Sequence, residues 1–363
     1  MRKSLIATSV CIALSGCALI HSTTKPWSDS PQAWRTEQGA MSQTAADALA
    51  VRFWQQYGDS VLDSLEEEAL KASPDVRIAA ARVEAFRAVV SARSADRFPQ
   101  VGIGAAAGRG KGGTDFPAYT SNAFSLFASL NWEIDLWGRL TRLTDAARAD
   151  LLGEEAAQRG VYLTLASAVA TSYMNLRQLD AQLEITRNTV KLRKDSVDLF
   201  QLRFEGGVIS ELELSQVESE YESAAAAVPQ IESQIAVTEN ALAVLLGRNP
   251  GPIERGRRIE EFVPPEVPAG LPSELIARRP DIVQAESALV ASDARVDAAR
   301  LAWFPTISIT GIFGYASNDL SKLFNAPNQM WNGVASIAQP VFDAGKINAN
   351  IDIERVNRQI AEV

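Results

Sequence analysis

Cys11, Cys17 and His21 are the only side chains in the 363 residues that could supply a thiol or an imidazole. Cys11 lies in the apolar stretch Leu5–Leu14, which follows Arg2-Lys3 and has the form of a secretory signal. The signal ends in Leu14-Ser15-Gly16-Cys17, the pattern at which a lipoprotein leader is removed and the exposed cysteine is acylated. Residues 1–16 are therefore expected to be lost, with Cys17 becoming the lipidated first residue; a plain signal that happens to contain a cysteine is the alternative. Ala18, standing where an aspartate would mark inner-membrane retention, resembles the outer-membrane sorting pattern. With Cys11 gone no thiol pair remains, which excludes disulfide and cysteine-metal chemistry. His21 stands in a Ser/Thr/Pro tether, 17–42, where a solvated residue is expected rather than a ligand. An enzyme would need a nucleophile, a metal or an acid–base cluster, and the sequence offers none; no cofactor is expected.

Two other stretches invite a chemical reading. Gly108–Thr120, GRGKGGTDFPAYT, has the glycines and lysine of a phosphate loop, but no strand-to-helix turn follows and the spacing fails. Glu205-Gly206-Gly207-Val208-Ile209-Ser210, followed by Glu211 and Glu213, is a glycine break between two helical patterns with acids just beyond it. The net charge is −9 and the pI about 5.0, which is no footprint for nucleic acid.

The elements that must position these residues come from a duplication. Pro280–Thr310 lies on Pro74–Gly104 at an offset of 206 residues, with ten identities in the thirty positions from Pro74 to Ile103. Four are Ala on Ala, but Pro74/Pro280, Asp75/Asp281, Phe98/Phe304 and Pro99/Pro305 are not cheap matches. Pro-Asp opens a helix in each copy. Phe-Pro closes it, because the residue before proline is pushed out of the helical region. The second helix, 280–303, carries a heptad seam from Ile282 to Trp303. A period-two run follows in each copy, giving strands at 99–107 and 305–315. Further strands are expected at 121–134 and, with weaker alternation, 330–342, and a loop over Gly108–Thr120.

Two short amphipathic helices are expected between Gln43 and Ser73, one around Phe53-Trp54 and one around Leu62, Leu65 and Leu70. From Gly138 the pattern is helical for about sixty-five residues, roughly 100 Å. One seam runs Leu179, Leu183, Thr186, Val190, Val197, Phe200, Phe204; beyond Gly206-Gly207 a second runs from Leu214 to Leu245. Two such helices joined by a glycine turn form an antiparallel coiled-coil hairpin, 138–247, with Pro229 expected to kink the return helix. A Pro/Gly/Arg-rich linker, 247–270, leads into the second copy. Residues 43–271 thus form a first structural repeat and 272–363 a second. Asp343-Ala344-Gly345-Lys346 restates Leu136-Trp137-Gly138-Arg139, so another long helix should begin there. The repeat implies a second hairpin of roughly a hundred residues after Val363; the chain is expected to be a C-terminally truncated form.

The fold class is an α+β membrane protein. No run of eighteen apolar residues follows the N-terminus, so a membrane core would be crossed by strands. Four strands cannot close a barrel alone, and an open edge in hydrocarbon is forbidden. The expectation is a homo-oligomer with a β-barrel completed between chains and long coiled helices forming a periplasmic α-barrel.

The segments RPDIVQAE…FPTISITG, FWQQYGDSVLDSLEEEALKASPDVRIAAARVEAFRA, RFEGGVISELELSQVESEYESA, NALAVLLGRNP and LPSELIARRPD together resemble the outer-membrane factor family of TolC-like efflux channels. The lipidation site is similar to that of its lipoprotein, NodT-type branch. The resemblance implies a homotrimer, seated in outer-membrane lipid, that passively exports small molecules. Its partners would be a periplasmic adaptor (membrane fusion) protein and an inner-membrane pump of the resistance–nodulation–division type. Residues 205–210 match the family's hairpin turn, an adaptor-contact surface, and Glu211 and Glu213 fall where the family places acids at the pore constriction. Arg278, Arg279 and Asp281 match signature positions expected to brace a helix. The alternatives are a non-pore, lipid-anchored periplasmic coiled-coil protein, or a non-functional truncated fragment of such a channel.

Overall fold

The computed structural model describes residues 52–112, 119–263 and 278–363. The signal 1–16, Cys17, His21, the tether 17–42 and residues 264–277, which include the end of the linker, lie outside them. The described residues separate into two compact units: 88–151 with 285–363, and 52–87 with 152–263 and 278–284.

The first unit is built on four strands, β1 (Gln100–Gly112), β2 (Tyr119–Ile134), β3 (Thr306–Ser317) and β4 (Gln329–Ala338), antiparallel and in sequence order. Each repeat feeds its first strand from a helix, α2 (Pro74–Ala95) into β1 and α5 (Pro280–Leu301) into β3. The seam expected to reach Trp303 stops at Leu301, because the N–H groups of Ala302, Trp303 and Phe304 donate only three residues back, and Pro305 forbids continuation. Two tryptophans secure the Phe-Pro corners. Trp132 Nε1 donates to Arg97 O at 3.0 Å, and Trp137 Nε1 donates to Pro305 O at 2.7 Å while its ring lies 5.1 Å from that of Phe304.

Two strand boundaries differ from expectation. β1 continues to Gly112 instead of ending at 107, so the described residues of the expected Gly108–Thr120 loop belong to paired strands: Gly108 through Gly112 pair with Ala123 through Tyr119. Backbone pairing holds this stretch, and its glycines carry no side-chain pattern from which a strand could be read. β4 ends at Ala338 rather than Phe342, since Pro340 cannot donate to a ladder.

In the second unit the described part of the expected first helix, from residue 52 on, is a single 3₁₀ turn, Phe53–Tyr57, ended by Gly58. Asp59 then caps α1 (Ser60–Ala72), whose buried face, Leu62, Leu65 and Ala69, joins Trp54, Leu165, Val169, Tyr173, Leu176, Leu242, Leu246 and Ile253 in one core. The hairpin is α3 (Arg139–Glu205) and α4 (Glu211–Leu245). Both seams are the sheltered faces of their helices: Leu179, Val197, Leu214, Ile231 and Leu242 are buried, and the seam residues between them are mostly half-buried. α4 continues through Pro229, which is exposed. Arg187 with Glu232, at 2.6 Å, and Arg193 with Glu220 pair across the hairpin beside the seam. A last helix, α6 (Lys346–Glu362), begins where the repeated Gly-Lys/Arg pattern places it.

Candidate functional site

Strand register sorts the sheet into two unlike faces. One carries Val101, Ile103, Ala105 and Ala107 of β1, Trp132, Leu130, Ala128, Leu126 and Phe124 of β2, and continues through Ile307, Ile309, Phe313 and Tyr315 to Trp331 and Ile337. Several of these large apolar groups are open: Ile103 is 83% and Trp331 78% exposed. The other face carries Asn131, Ser129, Ser125, Thr306, Ser308, Thr310, Ser336 and Asn332 among glycines and alanines, with Phe127, Ile312, Val334 and Met330 as its large apolar groups. Polar contacts knit it together, with Ser308 Oγ 2.7 Å from Ser336 Oγ and Arg139 2.7 Å from Glu133. The outer edges of β1 and β4 have no strand partner among the described residues.

The hairpin tip is closed by backbone geometry. Gly207 sits at φ 70°, and Val208 N donates to Arg203 O while Gly207 N donates to Phe204 O, the Schellman arrangement in which a left-handed residue absorbs the last carbonyls of α3. Ser210 then caps α4: its Oγ accepts from Glu213 N at 3.3 Å, and the Glu213 carboxylate accepts from Ser210 N at 2.7 Å. Those bonds from Ser210 hold the Glu213 carboxyl below its ordinary range. Glu213 is therefore an element of the turn itself. Glu211 sits in the first turn, where its charge faces the positive end of α4. Around them Val208 and Leu212 are 75% and 72% exposed.

A third constellation was not legible in the sequence. Asp59, 1% exposed, accepts from Val61 N and Leu62 N through Oδ1 and from Tyr173 Oη (3.0 Å) and Arg257 N (2.9 Å) through Oδ2. Tyr173 Oη in turn accepts from Gly256 N at 2.9 Å, and Arg177 Nε donates to Arg257 O at 2.8 Å. One carboxylate thus ties α1, α3 and the segment after α4 together. Burial first, then the Asp59 charge, pushes the Tyr173 hydroxyl up to about 12. Two turns along α1, Glu66 is fully buried with no close hydrogen-bond partner for either carboxylate oxygen, and burial pushes it up to about 8, offset only in part by the Ala170 backbone N–H. Among the described residues no group of three or more His, Cys, Asp and Glu is placed to hold a metal ion.

The family model for outer membrane efflux proteins matches residues 65–248 and 271–363. The chain belongs to the outer membrane efflux protein family. It is 35% identical over 358 residues to the cation efflux system protein CusC of Escherichia coli O6:H1, covering 98% of this chain and 77% of that protein. It is 32% identical to a protein of Salmonella typhimurium named as the probable outer membrane lipoprotein SilC, over 99% of this chain and 78% of that one. A crystal structure of CusC superposes with a TM-score of 0.84 at 32% identity, covering 95% of this chain and 78% of the other. The expected α+β class and the outer-membrane efflux role stand accordingly.

Against that background the sequence-predicted residues are distributed as follows. Glu205 through Ser210 are brought together in one turn, with Glu211 and Glu213 beginning the return helix. Cys17 lies outside the described residues. Arg279 grips Asp281 at 2.6 and 3.1 Å at the start of α5, and that ion pair holds the Asp281 carboxyl low.

Proposed function

We propose that this member of the family is the outer-membrane conduit of a three-part export assembly, working as a homotrimer anchored by an acyl group on Cys17. The observation that carries the reading is the four-stranded sheet: one apolar face, one hydroxyl-lined face and two unpartnered edges. Such an edge is not tolerated in hydrocarbon, and pairing β1 of one copy with β4 of the next removes every edge. The apolar face then meets lipid and the hydroxyl-lined face meets water. The turn at 205–210, with Val208 and Leu212 open beside it, is the surface offered to a periplasmic adaptor, behind which an inner-membrane pump of the resistance–nodulation–division type supplies the energy. Glu211 lies near the constriction of the pore, where a carboxylate favours cations; Glu213 shares that position while capping its helix. CusC is named for cation efflux, and a lumen edged by acids agrees with cation passage here. No catalytic step is assigned to the chain.

The deciding test is single-channel conductance in planar bilayers on protein purified from outer membranes, with its oligomeric mass measured in parallel. A trimer with discrete, cation-preferring conductance is expected. A monomer that never conducts overturns the reading.

A further inference from the structure

The apolar face of the sheet changes character within one residue pair on three neighbouring strands. Along β1 it reads Val101, Ile103, Ala105, Ala107 and then Arg109 and Lys111; along β2 it reads Trp132, Leu130, Ala128, Leu126, Phe124 and then Asn122 and Thr120. On β3 the run from Ile307 ends at Tyr315, and Ser317 follows beside Phe124. Aromatic rings mark both limits: Trp132 at the helix-proximal end, and Phe124 and Tyr315 at the other, with the Phe324 ring 5.5 Å from that of Tyr315.

The span between the limits matches a membrane. From Trp132 to Asn122, the partner of Arg109, the strand rises about 34 Å. At a barrel tilt of about 40° that is roughly 26 Å of height, against an apolar band about 25 Å tall in transmembrane barrels. Arg109 and Lys111 therefore stand just beyond the hydrocarbon, on the lipid side, at the depth of headgroup phosphates. Both are exposed, two residues apart on the same face, and neither has an ion-pair partner among the described residues. Gly110 lies between them and Gly108 just before them, each with open space around it. By contrast Lys322, beyond the far end of β3, is engaged by Asp319 at 3.5 Å.

We infer that Arg109 and Lys111 form a binding site for the phosphorylated headgroup of a membrane lipid, held from the outward face of β1. An arginine fork and a lysine ammonium at neighbouring positions can share one phosphate or bridge two. The acyl chains of the same lipid would run down over Ala107, Ala105 and Ile103, where no bulky β1 side chain stands between the cations and Ile103. The inference rests on the proposed orientation of the sheet, with the apolar face toward lipid.

The test uses the full chain in detergent and native mass spectrometry of retained lipid. Three probes are titrated: bis-phosphorylated lipid A, the same glycolipid stripped of its phosphates, and phosphatidylcholine. Each cation at an anionic surface contributes about fivefold in affinity. Arg109→Ala or Lys111→Ala should then lower retention of bis-phosphorylated lipid A about fivefold, and the double change more than tenfold, leaving the stripped lipid unaffected. Arg109→Glu should weaken it further still, while the circular dichroism of all variants matches the parent. Equal retention of the phosphorylated and stripped lipids, or unchanged retention by the double variant, overturns the site. If the unaltered protein holds the stripped glycolipid as well as the phosphorylated one, this inference alone falls. If it holds no lipid of any kind, the outward-face reading falls with it.

Discussion

The ring of Phe127 lies across Gly104 of the neighbouring strand, so that a Cβ added to that glycine would stand 2.6 Å from the ring's Cζ. Phe127 faces a glycine on its other side too, Gly314, where an added Cβ would meet Leu126 O at 2.2 Å and the Phe127 backbone at 2.6 Å. The bulky ring on the hydroxyl-lined face is thus accommodated by glycines on both flanking strands. The two contacts differ in kind: one is with the far end of a side chain, the other with backbone.

That difference predicts unlike responses to the same change. Gly104→Ala should destabilise the sheet by about 1–3 kcal/mol, the usual scale of overpacking, and Phe127→Ala should relieve it in the double variant. Gly314→Ala should be at least as harmful and should not be relieved by Phe127→Ala. Heat-dependent gel mobility of the extracted protein reads both; equal rescue would show that the ring is the obstacle at both positions.

Glu66 predicts a pH dependence whose sign follows from its burial. Its folded-state value is raised from 4.5 to about 8, so the fold binds the proton more tightly than the unfolded chain does. Stability from this group is fully present below about pH 4.5 and falls as pH rises toward 8. The neighbouring Asp63 carboxyl is raised as well, by burial and by the Asp59 charge, and pulls in the same direction. Hydrogen exchange along Ser60–Ala72 should accelerate between pH 6 and 8.5 beyond its intrinsic rate. Glu66→Leu should remove most of that excess and stabilise α1 by about 1–3 kcal/mol at the upper end. A variant with the parental pH profile would place the titration elsewhere.

Asp59 and Tyr173 should be strongly coupled. Asp59→Ala strands the tyrosine hydroxyl and the Arg257 N–H in a buried site, a loss of about 2–3 kcal/mol for donors left to a vanished charge. Once Tyr173→Phe is present, the same change should cost clearly less. Gly256→Ala should mimic the loss, because its Cβ would fall 2.2 Å from Asp59 Oδ1. Additive effects in denaturant unfolding would dissolve the proposed hub.

At the hairpin tip, Gly207→Ala forces a β-carbon into the left-handed region, at a cost of roughly 1–2 kcal/mol, and should loosen residues 203–212 without altering the sheet. Because the Glu213 carboxyl is held low, its cap is present at neutral pH and is lost as pH falls through its folded-state value. Local hydrogen exchange at the tip should rise in acid in the parent and be flat in Glu213→Gln.

Much of this molecule is written locally. The duplication, the Pro-Asp and Phe-Pro limits of α2 and α5, the strand alternation of β2 and β3, the two seams of α3 and α4, and the glycine turn at 206–207 all follow from periodicity and turn chemistry. Apart from the duplication, which is a match between two stretches of sequence, each depends only on residues within a few positions, and each was readable from the chain. Tertiary structure decided what depends on a partner distant in sequence. β1 reaches Gly112 because β2 satisfies its backbone, while glycines display no face. Glu66 reads as one more acid in Leu65-Glu66-Glu67-Glu68, yet it is fully buried because the faces of α1 are assigned by what packs on them. Asp59 reads as an ordinary helix cap, and its second oxygen found Tyr173 and Arg257 only when chain segments 114 and 198 residues away were folded against it. Burial and long-range hydrogen bonding are properties of the assembled packing, and sequence spacing alone does not contain them.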